Sequence, residues 1–200
     1  MKNILPEHYN VSRETSEKLN QYCQELLKWN KRINLISPST ENNIWERHIL
    51  DSARLVTLIP DNTKLIVDLG SGAGLPGAII AILTNIKTTL IESDQRKCAF
   101  LQHIAATISP NIKVINDRIE NIKDLRPDII TARALAPLPK LIDLAKPLFH
   151  PGCKCLFLKG ENITKEIKSA SASWDLTYEI IKDKNNDVGD ILSISKIVGK

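Results

Sequence analysis

Apolar positions in the first sixty residues recur at helical spacing. Leu19, Tyr22, Cys23, Leu26, Trp29 and Ile33 fall three and four apart, on one stripe of a helix. Ser12 stands where an N-cap belongs, and Ser37-Pro38-Ser39-Thr40 interrupts the stripe. A second helix is expected to carry Ile44, His48, Ser52, Leu55 and Ile59 and to end near Pro60. No strand-like alternation appears, so 1–60 reads as a helical cap within one compact unit, with the main domain over 61–200.

From Lys64 the pattern changes. Short apolar runs at 65–67, 88–91, 112–115, 128–131 and 153–158 read as strands. Helices are expected through Ile79, Ile80 and Leu83, over 96–108, and over 139–146. Strands alternating with helices predict an α/β fold with a mostly parallel sheet and right-handed crossovers. The end differs: 176–182 and 191–197 are both β-rich, and 183–190 holds no helix. That predicts a hairpin and an antiparallel strand at one edge.

Composition sharpens this picture. Apolar residues make up 42% and charged residues 25%, a folding composition. Isoleucine supplies 28 residues against 4% aromatics, as buried strands between helix layers would require. The net charge of +4 permits an anionic partner without establishing one. The start lacks a signal-peptide stretch, and the most apolar window, 75–83, is too short for a bilayer. Cys23, Cys98, Cys153 and Cys155 form no CxxC pattern, and Cys153 and Cys155 alternate as packed strand residues do. A cytoplasmic protein without membrane contact is expected. His8, His103 and His150 have no matching partners, so no metal site is expected.

The sharpest motif is Asp68-Leu69-Gly70-Ser71-Gly72-Ala73-Gly74-Leu75-Pro76-Gly77. Half of the eight glycines fall in eight positions, at a strand-to-helix switch. There glycine allows a tight turn and close ligand approach. Gly72 to Gly77 matches the dinucleotide pattern GxGxxG. Two details oppose a dinucleotide: Asp68 would repel a pyrophosphate, and Pro76 interrupts the helix start that should face it. S-adenosylmethionine has no phosphate and carries a sulfonium and an ammonium, which tolerate a carboxylate. The Walker pattern fails, because Lys and Ser or Thr do not follow Gly77. Glu92, about 20 residues on, can accept ribose hydroxyls in either cofactor class; a solvated strand-end acid would look the same. Asp94 reads as a helix cap. After the third strand, Ile119 and Glu120 could face an adenine, or belong to an ordinary loop.

Three further groups have chemistry to offer. Arg47, His48 and Asp51 can share a helix face that holds a phosphate or base, or form an intrahelical ion pair beside a packed histidine. Lys28, Lys31 and Arg32, beside Trp29, suit phosphate contact or a solvated helix end. Arg133, directly after the fourth strand, points from the edge where reactants meet.

In this order the motifs resemble a known family. Trp29-Asn30 with Asn34-Leu35, then Arg47-His48-Ile49-Leu50-Asp51-Ser52, then the glycine loop, Ala132-Arg133-Ala134 and Leu158-Lys159-Gly160 resemble signatures of the bacterial 16S rRNA guanine-N7 methyltransferases once named glucose-inhibited division protein B. The likeness spans roughly 19–160. The chain departs from the family pattern at Gly189-Asp190-Ile191.

The resemblance implies a class I, Rossmann-like S-adenosylmethionine-dependent methyltransferase fold. Its seven-stranded sheet would have the order 3-2-1-4-5-7-6, with the last strand antiparallel, beside an N-terminal helical extension. It implies Gly70, Leu75, Ile119, Glu120 and Arg133 at the cofactor, joining Asp68, Gly72, Gly74 and Glu92 from the motif reading. It implies methyl transfer to N7 of a guanine, guanine 527 in the usual rRNA numbering, with Arg133 positioning reactants and no general base. The implied partner is 16S rRNA in the small subunit or its assembly intermediate, with no stable protein partner. Two other readings remain: a noncatalytic rRNA-binding or assembly protein on this scaffold, and a methyltransferase for another RNA or small molecule. A nicotinamide oxidoreductase would instead bind NAD(H) tightly.

Overall fold

The computed structural model describes residues 11–182 and 189–200. Helix α1 (Arg13–Asn30) begins at Ser12, whose hydroxyl accepts from the Thr15 amide at 3.1 Å. That bond satisfies one of the amides a helix start leaves orphaned. Leu19, Tyr22 and Leu26 are its buried stripe, with Cys23 and Trp29 packed partly against the same core. Ile33, expected on this stripe, lies beyond the helix end. Asn30 stops the helix: its side-chain oxygen accepts from the Leu35 and Ile36 amides at 2.8 and 3.0 Å, and its side-chain amide donates to Glu41 at 2.6 Å. These bonds offer the chain an alternative to further helix.

The single helix expected over 44–59 is instead a relay of tighter and wider turns. A 3-10 turn (Pro38–Asn43) leads to a π-helical turn (Trp45–Leu50), a short α2 (Asp51–Ala53) and a second 3-10 turn (Arg54–Leu58). Trp45, His48, Ile49, Asp51, Ser52 and Ala53 are all buried. A regular amphipathic helix cannot turn so many successive positions inward; a π turn re-aims them. The Ser52 hydroxyl donates back to the His48 carbonyl at 2.6 Å within this stretch.

The sheet comprises β1 (Leu65–Leu69), β2 (Lys87–Glu92), β3 (Ile112–Asn116), β4 (Ile129–Arg133), β5 (Lys154–Lys159), β6 (Trp174–Ile181) and β7 (Asp190–Gly199). Its order is β3-β2-β1-β4-β5-β7-β6, as expected. The first five strands pair in parallel, while β7 runs antiparallel between β5 and β6. This is the class I methyltransferase fold. The turn expected between β6 and β7 falls largely on 183–188, outside the described residues, as does His8.

Alternate residues of the central strands feed two cores. Val67, Leu69, Ile130, Phe157, Cys153 and Cys155 pack with α5 (Leu138–Ala145) and α6 (Ile163–Ala170). Ile66, Ile129 and Leu156 face Leu55 and Ile80 instead. On that side α3 (Gly77–Thr84) and α4 (Gln95–Thr107) bring Ile79, Phe100 and Ile104 into the core holding Tyr22 and Leu26 of α1. The helical extension therefore shares a core with the helices that follow β1 and β2. Helix α6 was not among the expected elements, although Ile163, Ile167 and Ala170 carry its four-and-three spacing. Among the described residues no helix is long and apolar enough to cross a membrane.

Candidate active site

The glycine loop joins β1 to α3 at the carboxyl edge of the sheet and is tied to the end of β2. The Ser71 amide donates to the Ile91 carbonyl at 3.0 Å and the Gly72 amide to Glu92 Oε2 at 2.8 Å. Glu92 Oε1 accepts from the Ser93 and Asp94 amides at 2.7 and 2.8 Å. Glu92 is therefore a clasp between loop and sheet before it is a ligand group. Asp94 caps α4 as expected, accepting from the Arg96 and Lys97 amides.

The glycines divide by role. Gly72, at φ 55°, has room where a side chain would stand, the Gly70 carbonyl oxygen at 3.9 Å being its one near neighbour among the described residues. At Gly74, φ 86°, a Cβ would meet the Ala78 Cβ at 2.9 Å and Leu101 Cδ2 at 3.0 Å. Gly74 thus serves helix packing and, unlike Gly70 and Gly72, does not line the cavity against the loop. A second loop contact comes from far back in the chain: the buried Tyr22 hydroxyl donates to the Ala73 carbonyl at 2.7 Å.

A cavity of about 610 Å³ opens against this loop. Gly70, Gly72, Leu75, Glu92, Ile119, Glu120 and Arg133, all expected at the cofactor, line it together. Leu35, from the Asn34-Leu35 signature, Asp117, from the segment after the third strand, and Lys97, which no motif marks, line it too. Ile91 and Ile119 offer apolar surface for a flat ring, while Glu92 and Asp117 offer acceptors for hydroxyls. The room at Gly72 and this donor set fit an adenosine-bearing cofactor.

Asp68 is not on that wall. It is fully buried beneath the loop, where the Thr131 hydroxyl donates to Oδ1 at 2.7 Å and Oδ2 has no hydrogen-bond partner. Burial pushes its carboxyl up to about 6, against the pull of the Thr131 hydroxyl. Of the two ways Asp68 could favour a cofactor, directly or through the loop, this position suits the second.

A second cavity, of about 690 Å³, lies on the other side of Arg133. Arg47, His48, Asp51, Lys159 and Glu166 line it, and it shares Arg133, Ala134, Leu135 and Ala136 with the first. Arg133 ends β4, and its Nη1 donates to the Arg47 carbonyl at 3.2 Å and stands 3.6 Å from Asp51 Oδ2. Asp51 also meets Arg54 at 3.3 Å. Its carboxyl is raised by burial, against the pull of Arg133 and Arg54. Asp51 thus braces Arg133 across the fold; the intrahelical pairing with Arg47 or His48 does not form. His48 Nε2 lies 3.0 Å from Thr40 Oγ1. Burial first, then Arg133 and Arg47, push its imidazole down to about 4, so it is neutral at pH 7.

The shared segment is held from its far side. Ala134 adopts a left-handed φ of 51°, a conformation non-glycine residues rarely take. The Lys159 ammonium donates to the Ala136 carbonyl at 3.2 Å and pairs with Glu166, which accepts from the Leu138 amide at 2.7 Å. Lys159 stood only within a quoted motif and Glu166 in no motif, because their work depends on a crossing between β5, α6 and the segment after β4. Lys28, Lys31 and Arg32 are elsewhere, around a third cavity beside Trp29.

Residues 15–187 match the family described as rRNA small subunit methyltransferase G, GidB. Ribosomal RNA small subunit methyltransferase G of Gluconobacter oxydans is 48% identical over 185 residues, covering 92% of this chain and 95% of the relative. Its namesake from Paramagnetospirillum magneticum is 42% identical over 187 residues, covering 94% and 91%. Among solved structures, a mutant of MtNAS in complex with S-adenosylmethionine is similar with a TM-score of 0.63 at 9% identity, covering 91% of this chain and 76% of that one. The ribosomal protein L11 methylase of Lactobacillus delbrueckii subsp. bulgaricus gives 0.59 at 18% identity, covering 74% and 77%. At such identities the structures speak for the fold.

Proposed function

Because this chain belongs to the rRNA small subunit methyltransferase G family, we propose that it transfers a methyl group from S-adenosylmethionine to N7 of a guanine in 16S rRNA. The position is guanine 527 in the usual rRNA numbering, and the reaction takes place in the cytoplasm on the small subunit or its assembly intermediate. The observation carrying this reading is that two cavities meet at Arg133 to Ala136, one against the glycine loop and one open to an acceptor.

The cofactor would supply an electrophilic methyl group on a sulfonium. Gly70, Gly72, Leu75 and Ile119 would hold its adenosine, and Glu92 and Glu120 its polar edges. Guanine N7 carries its lone pair in the ring plane, so transfer needs no deprotonation. The new bond is N7 to methyl carbon, the broken one methyl carbon to sulfur, and the positive charge passes to the guanine. The protein's task is alignment in dry surroundings. Asp51 is engaged by Arg133 and Arg54, and the transfer asks neither it nor the neutral His48 to take a proton.

Arg133, braced by Asp51 and the Arg47 carbonyl, has guanidinium donors left to offer. Arginine pairs well with guanine O6; donation to O6 alone would fix the base and leave N7 facing the methyl. The test is methyl transfer from labelled cofactor to small subunits lacking the modification, followed by mass mapping. Label at N7 of the stated guanine is expected. Tight subunit binding without transfer would favour a noncatalytic assembly role, and label on another RNA would move the substrate.

A further inference from the structure

The third cavity, of about 530 Å³, lies where the end of α1 meets the start of α4. Its floor is aromatic and apolar. Trp29 packs against Phe100 and His103, each 5.7 Å away between ring centroids, with Ile33 and Ala99 alongside. Glu25 holds His103 at 2.8 Å. The rim is cationic: Lys28, Lys31, Arg32 and Arg96. Lys28 faces Glu25 at 3.3 Å and Arg96 faces Asp94 at 3.5 Å. Among the described residues Lys31 and Arg32 have no acidic partner.

A mainly cationic path, with Asp94 beside Arg96, links this cavity to the first one. Arg32, Ile33 and Arg96 also line a smaller hollow of about 280 Å³ that reaches Lys97. Lys97 in turn lines the first cavity. An extended polyanion lying across the mouth of the first cavity would meet Lys97, then Arg96 and Arg32, and arrive at Trp29.

Resting on the RNA-substrate reading above, we propose that the Trp29 cavity seats a second, unpaired base of the substrate RNA while Lys31 and Arg32 take its flanking phosphates. An indole offers a π face that any base can stack on, and a floor this poor in polar groups cannot read base edges. The site therefore selects for single-strandedness and not for sequence. A paired base is already stacked in its helix and cannot enter. An acidic peptide would satisfy the rim but would need an aromatic side chain at a fixed spacing for the floor; every nucleotide brings both. Anchoring a neighbouring unpaired base would hold the target strand open beside the acceptor cavity.

The experiment titrates the full-length protein, loaded with S-adenosylhomocysteine, with a short unstructured oligoribonucleotide and with its duplex, at each of several salt concentrations. Tryptophan fluorescence and calorimetry are read together. The single strand should quench fluorescence and bind more tightly than the duplex. Trp29→Leu should remove the quench and weaken binding about tenfold. Lys31→Glu with Arg32→Glu should weaken binding and flatten its salt dependence. Both variants should keep S-adenosylhomocysteine affinity. If Trp29→Leu disturbs packing on Phe100 and loses that affinity, the exposed charge reversal decides alone. Unchanged oligonucleotide affinity in the charge-reversal variant overturns the proposal, as does equal affinity for duplex and single strand. An acidic peptide that binds at Trp29 where the oligonucleotide does not would overturn it too. If the wild type shows this binding pattern yet fails to methylate small subunits, the proposed reaction falls and the Trp29 site stands.

Discussion

The hydroxyl of Tyr22 donates to the carbonyl of Ala73 at 2.7 Å inside the core, so the first helix holds the loop that faces the cofactor cavity. Removing the donor leaves a buried carbonyl unsatisfied, at a cost of about 1–3 kcal/mol. Tyr22→Phe keeps the ring packed against Phe100. Chemical denaturation should show a loss of that order. Calorimetry should show weaker S-adenosylhomocysteine binding, because the loop gains freedom that binding must remove. An unchanged affinity would mean that the glycine loop holds its shape without α1.

Gly72 and Gly74 should respond to substitution in opposite ways. Gly72→Val places a branched side chain in the space beside the cavity and at a positive φ. It should abolish S-adenosylhomocysteine binding while the protein stays folded, at a strain cost of about 1–2 kcal/mol. Gly74→Ala should lower stability through contact with Ala78 and Leu101, with affinity affected only secondarily. Thermal melts with and without ligand separate the two. Equal ligand binding in Gly72→Val and the wild type would remove the loop from the binding site.

Asp68 should leave a mark on the pH dependence of stability. Its carboxyl is raised by burial from the ordinary 3.8 to about 6 in the folded protein. Between those values this group binds more protons in the native state than in the unfolded one, so its contribution to stability falls as pH rises through this window and levels off above it. The difference is on the order of 3 kcal/mol. His48, held down to about 4, acts in the opposite sense over the same range, so the mark of Asp68 is the difference between Asp68→Asn and the wild type. The variant should lose the falling contribution between about pH 4 and 6, and stability should rise more steeply with pH there. The same variant should weaken cofactor binding through the loop. A correctly folded Asp68→Asn with wild-type affinity would confine Asp68 to a structural role.

Arg133 should matter more to rate than to binding. Lysine keeps the charge but cannot reach the Arg47 carbonyl and Asp51 while presenting a planar fork. Arg133→Lys should keep the fold and most subunit binding and slow single-turnover methyl transfer at least tenfold, equivalent to about 1.4 kcal/mol in the transition state. A parallel subunit-binding assay separates slow transfer from weak capture. A normal single-turnover rate in both Arg133→Lys and Arg133→Ala would return Arg133 to the standing of a loop residue.

Local sequence was enough for most of what neighbours along the chain govern, the short helix α6 excepted. Strand and helix periods, the cap at Ser12 and the glycine loop were legible because each depends on residues within a few positions of one another. The family resemblance supplied the strand order, which no local pattern encodes. Tertiary structure decided the rest. It set Asp68 and Gly74 beneath the cavity wall, because facing either the sheet core or the cavity depends on how α3 packs. It turned the expected helix over 44–59 into a relay with a π turn, because too many of its residues had to be buried at once. It joined Tyr22 to Ala73 and Asp51 to Arg133, pairs far apart in sequence that meet only when the helical extension closes on the sheet edge. Lys159 and Glu166 became visible for the same reason: a side chain that fixes another segment has no period of its own, and its partner is chosen by packing.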